Sequence, residues 1–368
     1  MRKNLFILKA AVLLTIQSCI GQQFEQNIEV DTSPNTLLRQ VDSIVVSKMN
    51  DYAIPGLSIG IVAGDSIVLS KGYGVKSIET KEFVSQNTNF HTASISKLFT
   101  AQAILFLAQE KNISLNTKLI TIIPELNYKD ERSKNITLTS LLNHTSGLPD
   151  VSGYNWKNNN QSASSLQEYI LGLDLKLNSE PHTEYYYSNL GYNILGYVVE
   201  KLAGIPFEQF VKDRILSESE MLNSDFRYFK IPDSLKSSPH SKKLISKKIY
   251  TRKTYPYTRE HAPSSTLNSS STDLCKWMIT FLKSQDSFEK MTEPSFESYP
   301  YIGLGFQLSK LHNKQTIGHY GGDKGYRSYL IMIPEEKMGL VLLANCDYDE
   351  DFRQEILHPI AKLMLPQD

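Results

Sequence analysis

Cysteine is scarce in this chain: three residues in 368, at positions 19, 275 and 346. Cys275 and Cys346, so far apart, form neither a disulfide framework nor a metal-ligand pattern. Two separate buried thiols are expected, with a single disulfide as the alternative. An excess of charge is also missing, since 39 Lys and Arg balance 39 Asp and Glu. Nucleic-acid binders usually carry a basic excess, so a nucleic-acid partner is not expected. Beyond residue 30 no run is long and apolar enough to span a membrane. Internal repeats and low-complexity domains are absent.

The N-terminus reads as a targeting segment. Arg2 and Lys3 precede a mostly apolar stretch, Leu5 to Ile16, interrupted by Lys9. Cys19-Ile20-Gly21 offers small residues at a cleavage site before Gln22. Residues 1–21 are therefore read as a signal peptide, and the chain as exported to the periplasm or beyond. In a second version the signal ends before Cys19, and a lipid on Cys19 anchors a lipoprotein to the membrane. Residues 22–35 are polar and read as a mobile lead-in.

What is present begins with Phe90-His91-Thr92-Ala93-Ser94-Ile95-Ser96-Lys97. Leu98, Ala101, Ile104, Leu105 and Ala108 recur at three and four, which predicts a helix from near Ser94. Ser94 and Lys97 then share one face of its first turn. Burial and the positive end of the helix dipole disfavour a charged lysine there. A lysine that gives up its proton readily, beside a serine, is a nucleophile-activating pair. Taken alone, Ser-x-x-Lys is more often a capping serine with a solvated lysine.

Upstream, the spacing of Leu38, Val41, Ile44, Val45 and Met49 predicts a helix. Residues 57–62 and 66–73 read as strands joined by Ala63-Gly64-Asp65. Gly56-Leu57-Ser58-Ile59-Gly60 matches G-x-S-x-G, but the required strand-to-helix context is missing and Ser58 is placed inside a strand.

Downstream, a short helix ends at Thr139–Asn143, and His144-Thr145-Ser146-Gly147-Leu148-Pro149 forms a turn-rich segment. No metal spacing surrounds His144, which favours a structural role. Residues 155–165 should be a surface loop. Tyr185-Tyr186-Tyr187-Ser188-Asn189 enters a helix carrying Ile194, Leu195, Val198, Val199 and Leu202 and ending at Gly204. A phenol at Tyr187 can act as a general base if a cation lowers its pKa. Residues 225–262 form a basic, tyrosine-bearing insertion with Lys242, Lys243, Lys247, Lys248, Arg252 and Lys253. Such a run is usually a solvated face; the sharper reading is a flap attracting an anionic substrate. A capped helix covers Leu274 to Phe281, and strands are predicted over 302–308, 314–320, 326–333 and 338–344. Between the middle two lies the glycine-rich stretch Gly318 to Gly325, where a backbone can approach a substrate closely. A final helix spans 351–364.

Taken in order, these segments resemble the penicillin-recognising serine hydrolase superfamily, in the branch of class C β-lactamases, D-aminopeptidases, DD-peptidases and esterases. Ser94-x-x-Lys97 resembles its first motif and Tyr187-Ser188-Asn189 its Tyr-x-Asn motif. His319-Tyr320-Gly321 stands where members have Lys-Thr-Gly or, in one subgroup, His-x-Gly. His144 to Leu148 resembles a further hallmark. The similarity runs from about residue 36 to the C-terminus. It implies an α+β (β-lactamase/transpeptidase-like) fold: an antiparallel sheet flanked by helices, with a mainly helical domain inserted. Residues 36–98 and 270–368 would form the α/β part and 99–269 the helical part.

The resemblance also implies roles. Ser94 would attack a carbonyl and form an acyl-enzyme, with Lys97 and Tyr187 sharing the proton work in an order left open. Backbone N–H groups of Ser94 and Gly322 would form the oxyanion hole. Asn189 would orient Lys97 and the substrate amide. His319, with Gly321, would line the opposite wall and hydrogen-bond Tyr187. No metal or cofactor is required. Substrates would be small molecules or short peptides: D-amino-acid peptides, β-lactam-like compounds or esters. The alternative is a penicillin-binding receptor or pseudoenzyme without significant turnover. Two departures stand out. A histidine is only partly charged near neutrality, so His319 supplies no fixed cation for a carboxylate, which favours peptidase or esterase chemistry over efficient β-lactamase action. Ala262-Pro263-Ser264-Ser265-Thr266-Leu267 replaces a glycine-rich version and is expected to reshape a rim of the cleft.

Overall fold

The computed structural model describes residues 34–284 and 289–365. The expected signal peptide and the lipid site at Cys19 lie outside the described residues. Apolar alternation and continuous apolar runs build one six-stranded antiparallel sheet. Its strands are β1 (Gly56–Ala63), β2 (Ser66–Gly74), β3 (Gln307–Leu311), β4 (Lys314–Asp323), β5 (Tyr326–Ile333) and β6 (Met338–Ala344). Their spatial order is β2-β1-β6-β5-β4-β3. The first hairpin therefore meets the last strand, with Leu57 opposite Ala344 and Ile59 opposite Leu342.

Both faces of β1 and β6 are buried, so these strands read as apolar runs rather than as an alternation. One face packs on α1 (Pro34–Tyr52) and α5 (Phe352–Met364), burying Val41, Val45, Ile59, Leu342, Phe352 and Ile356. The other face packs on α4 (Ser271–Lys283), with Met278 against the Gly339 backbone, and α2 (Ser96–Glu110) continues this core, its Phe99 ring 4.8 Å from that of Trp277, centroid to centroid. All helices between α2 and α4, including α3 (Asn189–Ala203), lie in the segment that separates β2 from the C-terminal strands. Among the described residues no helix is long and apolar enough to cross a membrane.

Two expectations need correction. The strand predicted from residue 302 begins at Gln307. Ile302, Leu304 and Phe306 alternate like a strand, but Gly305 has φ +92° and turns the chain. The glycine-rich stretch is not a connection, because β4 continues through Asp323 and only Lys324 and Gly325 form the turn. The basic insertion at 225–262 includes a short hairpin, His240–Lys242 paired with Ile249–Thr251. Cys275 and Cys346 are both free and buried. Ser58 sits inside β1, fully buried, and hydrogen-bonds Ser271 at 2.6 Å.

Candidate active site

Ser94 lies on a single 3₁₀ turn, Ala93–Ile95, that runs directly into α2. Ala93 has φ +49°, a left-handed conformation that costs a non-glycine residue about 1–2 kcal/mol. Its neighbours hold it there. Thr92 N–H donates to the Leu267 carbonyl at 2.8 Å, and Ser328 Oγ on β5 donates to the Thr92 carbonyl at 2.7 Å. β4 crosses so closely that a Cβ on Gly321 would strike the Thr92 carbonyl and the Ser328 hydroxyl. Gly321 is thus required by backbone packing against the serine turn. Gly322, next along the strand, is exposed.

Lys97 follows one helical turn after Ser94 and is completely buried. Its Nζ lies 3.1 Å from Ser94 Oγ, 2.6 Å from Asn189 Oδ1 and 2.8 Å from the Ser264 carbonyl oxygen. The last two atoms can only accept. A neutral amine has two N–H bonds and one lone pair, so these contacts leave its lone pair for the serine hydroxyl. Burial holds the Lys97 pKa down at about 7; Asp150 and Asp323 oppose that shift. Tyr187 Oη donates to Ser94 Oγ at 3.0 Å. Burial is the largest influence on this phenol and keeps it protonated, well above its usual pKa, while the Ser94 contact works the other way. The serine oxygen thus sits between a proton acceptor and a proton donor.

Asn189 opens α3, where Ser188 caps the helix by accepting from Gly191 N–H at 3.1 Å. Asn189 turns its Oδ1 to Lys97, as expected. Its side-chain amide donates to Asp150 Oδ2 at 3.1 Å, and its backbone N–H donates to Asp150 Oδ1 at 2.7 Å. Nothing in the sequence singles out Asp150. It stands 39 positions before its partner, with no local periodicity to mark it. His144 proves structural: it is buried at φ +60°, and its Nδ1 accepts from Ser188 N–H at 3.1 Å. Its ring lies 4.4 Å, centroid to centroid, from Tyr187.

His319 differs from expectation. Its Nδ1 is 2.5 Å from the Tyr320 carbonyl oxygen, so Nδ1 carries the proton. Nε2 is buried and has no hydrogen-bond partner among the described residues, and the ring centroid is 6.2 Å from that of Tyr187. The expected bond to Tyr187 is absent. Burial and the nearby Lys97 hold the imidazole pKa down at about 3, so it is neutral at physiological pH rather than partly charged. The Ala262–Leu267 segment is likewise no rim. Residues 262–267 are buried. The Pro263 carbonyl accepts from Thr100 Oγ1 at 2.6 Å, and the Ser264 carbonyl holds Lys97. Arg259, at the head of this segment, is tied down by Glu208 at 3.0 Å and by Glu200. Among the described residues no group of three or more side chains is arranged to hold a metal ion.

The beta-lactamase family model matches residues 41–363. The chain belongs to this family. Protein flp of Staphylococcus aureus (strain MW2) is 27% identical over 329 residues, covering 84% of this chain and 64% of flp. The chain thus spans just under two thirds of that relative. Among solved structures, the octameric penicillin-binding protein homologue from Pyrococcus abyssi superposes with a TM-score of 0.77 at 24% identity, over 89% of this chain and 77% of that one. The D-amino acid amidase from Ochrobactrum anthropi SV3, complexed with L-phenylalanine amide, gives 0.74 at 18% identity, over 89% and 97%. These likenesses establish the beta-lactamase-like fold; the residue geometry above is this chain's own.

Proposed function

We propose that the protein is a serine hydrolase that forms an acyl-enzyme through Ser94 and acts on small amides or esters. The observation carrying this reading is the placement of Ser94 Oγ between Lys97 Nζ at 3.1 Å and Tyr187 Oη at 3.0 Å. Lys97 takes the Ser94 proton as Oγ bonds to the substrate carbonyl carbon. The resulting oxyanion is received by the backbone N–H groups of Ser94 and Gly322. The intermediate collapses by breaking the bond to the leaving nitrogen or oxygen, which takes the Tyr187 proton. Lys97 returns its proton to Tyr187. Water, giving a proton to the same pair, then attacks the acyl carbon; the bond to Ser94 Oγ breaks, Oγ takes that proton back, and the acid is released.

The chemistry around the serine also bears on substrate class. Lys97 is committed to proton transfer, His319 is neutral, and Asp150 and Asp323 both influence Lys97 electrostatically. This setting disfavours a carboxylate beside the scissile bond and favours uncharged amides and esters. In this reading residues 1–21 export the chain, and hydrolysis takes place outside the cytoplasm.

The test is intact-protein mass after exposure to a fluorophosphonate and, separately, to a β-lactam, with Ser94→Ala as control. Adducts on the native chain that vanish in Ser94→Ala, together with turnover of amide or ester substrates, are expected. A β-lactam adduct that persists without turnover identifies a penicillin-binding receptor instead. Absence of both adducts overturns the hydrolase reading.

A further inference from the structure

From Ser234 to Arg259 the chain contains no aspartate or glutamate. Within this span the His240–Lys242 and Ile249–Thr251 strands project a six-residue turn, 243–248, and every residue of that turn is exposed. The turn is well formed. Lys243 N–H donates to the Lys248 carbonyl at 2.9 Å, Lys247 N–H donates to the Lys243 carbonyl at 3.0 Å, and Lys247 adopts φ +55°. At its tip stand Leu244, 85% exposed, and Ile245, 93% exposed. Tyr250, on the returning strand, is also exposed.

Turn tips ordinarily carry glycine, asparagine, aspartate or serine. Two adjacent large aliphatic side chains there contribute nothing to the core. The charges around them divide in two groups. Lys242 pairs with Asp349 at 3.1 Å and Arg252 with Asp347 at 3.6 Å, at the root of the hairpin. Lys243, Lys247 and Lys248 pair with no carboxylate among the described residues. An apolar point is thus ringed by free ammonium groups on long flexible stems.

We propose that this hairpin docks the protein onto an anionic lipid surface. Leu244 and Ile245 enter the boundary between headgroups and acyl chains, and Lys243, Lys247 and Lys248 meet the phosphates while their stems follow the apolar tip inward. An exposed tyrosine beside the tip suits the same boundary. An acidic protein would satisfy the lysines, but it would need a complementary socket for two bare aliphatic side chains. A bilayer accepts them without one. The hairpin root is rigidly placed: His240 Nδ1 contacts the Asn345 carbonyl at 2.9 Å, and Pro239 abuts Gly325 in the turn after β4. Docking would therefore hold the strand carrying Gly322 in a fixed relation to the lipid surface.

The test is flotation of the full chain with vesicles of phosphatidylcholine alone or with a third phosphatidylglycerol. Because Leu5 to Ile16 is itself mostly apolar, the comparison is between the unaltered chain and chains changed only at the tip. Each neutralised lysine should cost roughly fivefold in partitioning, so Lys243→Gln, Lys247→Gln and Lys248→Gln together should cost roughly a hundredfold. Leu244→Ser with Ile245→Ser should cost at least tenfold, with fluorophosphonate labelling unchanged as the folding control. In a separate chain, Leu244→Trp should give tryptophan fluorescence that shifts to the blue on anionic vesicles, against the constant background of buried Trp156 and Trp277. Partitioning equal in all chains overturns the proposal. So does a loss confined to the lysine variant, which would mark an acidic macromolecular partner, or an unshifted emission from the Leu244→Trp chain.

Discussion

Asp150 grips Asn189 at two points, its backbone N–H at 2.7 Å and its side-chain amide at 3.1 Å. With both oxygens of Asp150 engaged, Asn189 can turn only its carbonyl oxygen toward Lys97. The carboxylate also raises the Lys97 pKa from a distance. Asp150→Asn offers one acceptor where two are needed and removes the charge. Its kcat should fall roughly tenfold to a hundredfold, as expected for a misoriented reacting group. The acid limb of its kcat/KM profile should move to lower pH, because Lys97 then loses its proton more easily. Asp150→Glu should restore part of the rate and return the limb. An unmoved limb would reduce Asp150 to a structural support.

The buried lysine sets a pH dependence for both activity and stability. If Lys97 must be neutral to accept the Ser94 proton, kcat/KM should fall as pH drops through about 7. Stability should run the same way. Between about 7 and the ordinary lysine value of 10.5, the unfolded chain holds a proton that the folded chain lacks. Stability therefore rises with pH across that window. Thermal melts should show a midpoint that climbs from about pH 7 to about pH 9.5 in the native chain. The climb should flatten in Lys97→Met, measured in the same buffers.

His319 makes a prediction about substrate choice. It is neutral, so it cannot act as a counter-ion for a carboxylate. Paired peptides that differ only in a free carboxylate or its methyl ester should be turned over with a preference of at least tenfold for the ester. His319→Lys should narrow or reverse that preference, chiefly through KM. Equal use of both peptides by the native chain would show that charge at this position does not select the substrate.

Gly321 tests how the serine turn is held. A methyl group there would meet the Thr92 carbonyl and Ser328 hydroxyl that clamp the turn. Gly321→Ala should lose about 1–3 kcal/mol of stability, the usual cost of overpacking, and should slow fluorophosphonate labelling of Ser94. Calorimetry and labelling rate measure the two effects on one preparation.

Much of this was legible from the sequence because it is local. Ser94 and Lys97 are one helical turn apart, and strands such as 326–333 and 338–344 are unbroken apolar runs. Positions that failed depend on partners far along the chain or on backbone atoms. Asp150 is defined by Asn189, and the Ala262–Leu267 segment acts through the Ser264 carbonyl, which no side chain advertises. His319 showed its identity but not its charge, which depends on burial beside Lys97. Ile302, Leu304 and Phe306 mimicked a strand because alternation does not register the left-handed turn at Gly305. The Gly318–Gly325 stretch looked like a loop, although Gly321 is there to let a strand pass against Thr92.

The sheet order has a consequence for biosynthesis. β1 lies between β2 and β6, so a strand completed by residue 63 waits for a neighbour that ends at residue 344. The turn bearing Ser94 likewise waits for Ser328. Such distant pairings close slowly, because a long loop must be ordered before any contact rewards it. A nascent chain that has emerged only as far as α4 has its serine and lysine but lacks the wall that confines them. Reactivity at Ser94 should therefore appear only once the strand carrying Ser328 has emerged and closed against the serine turn.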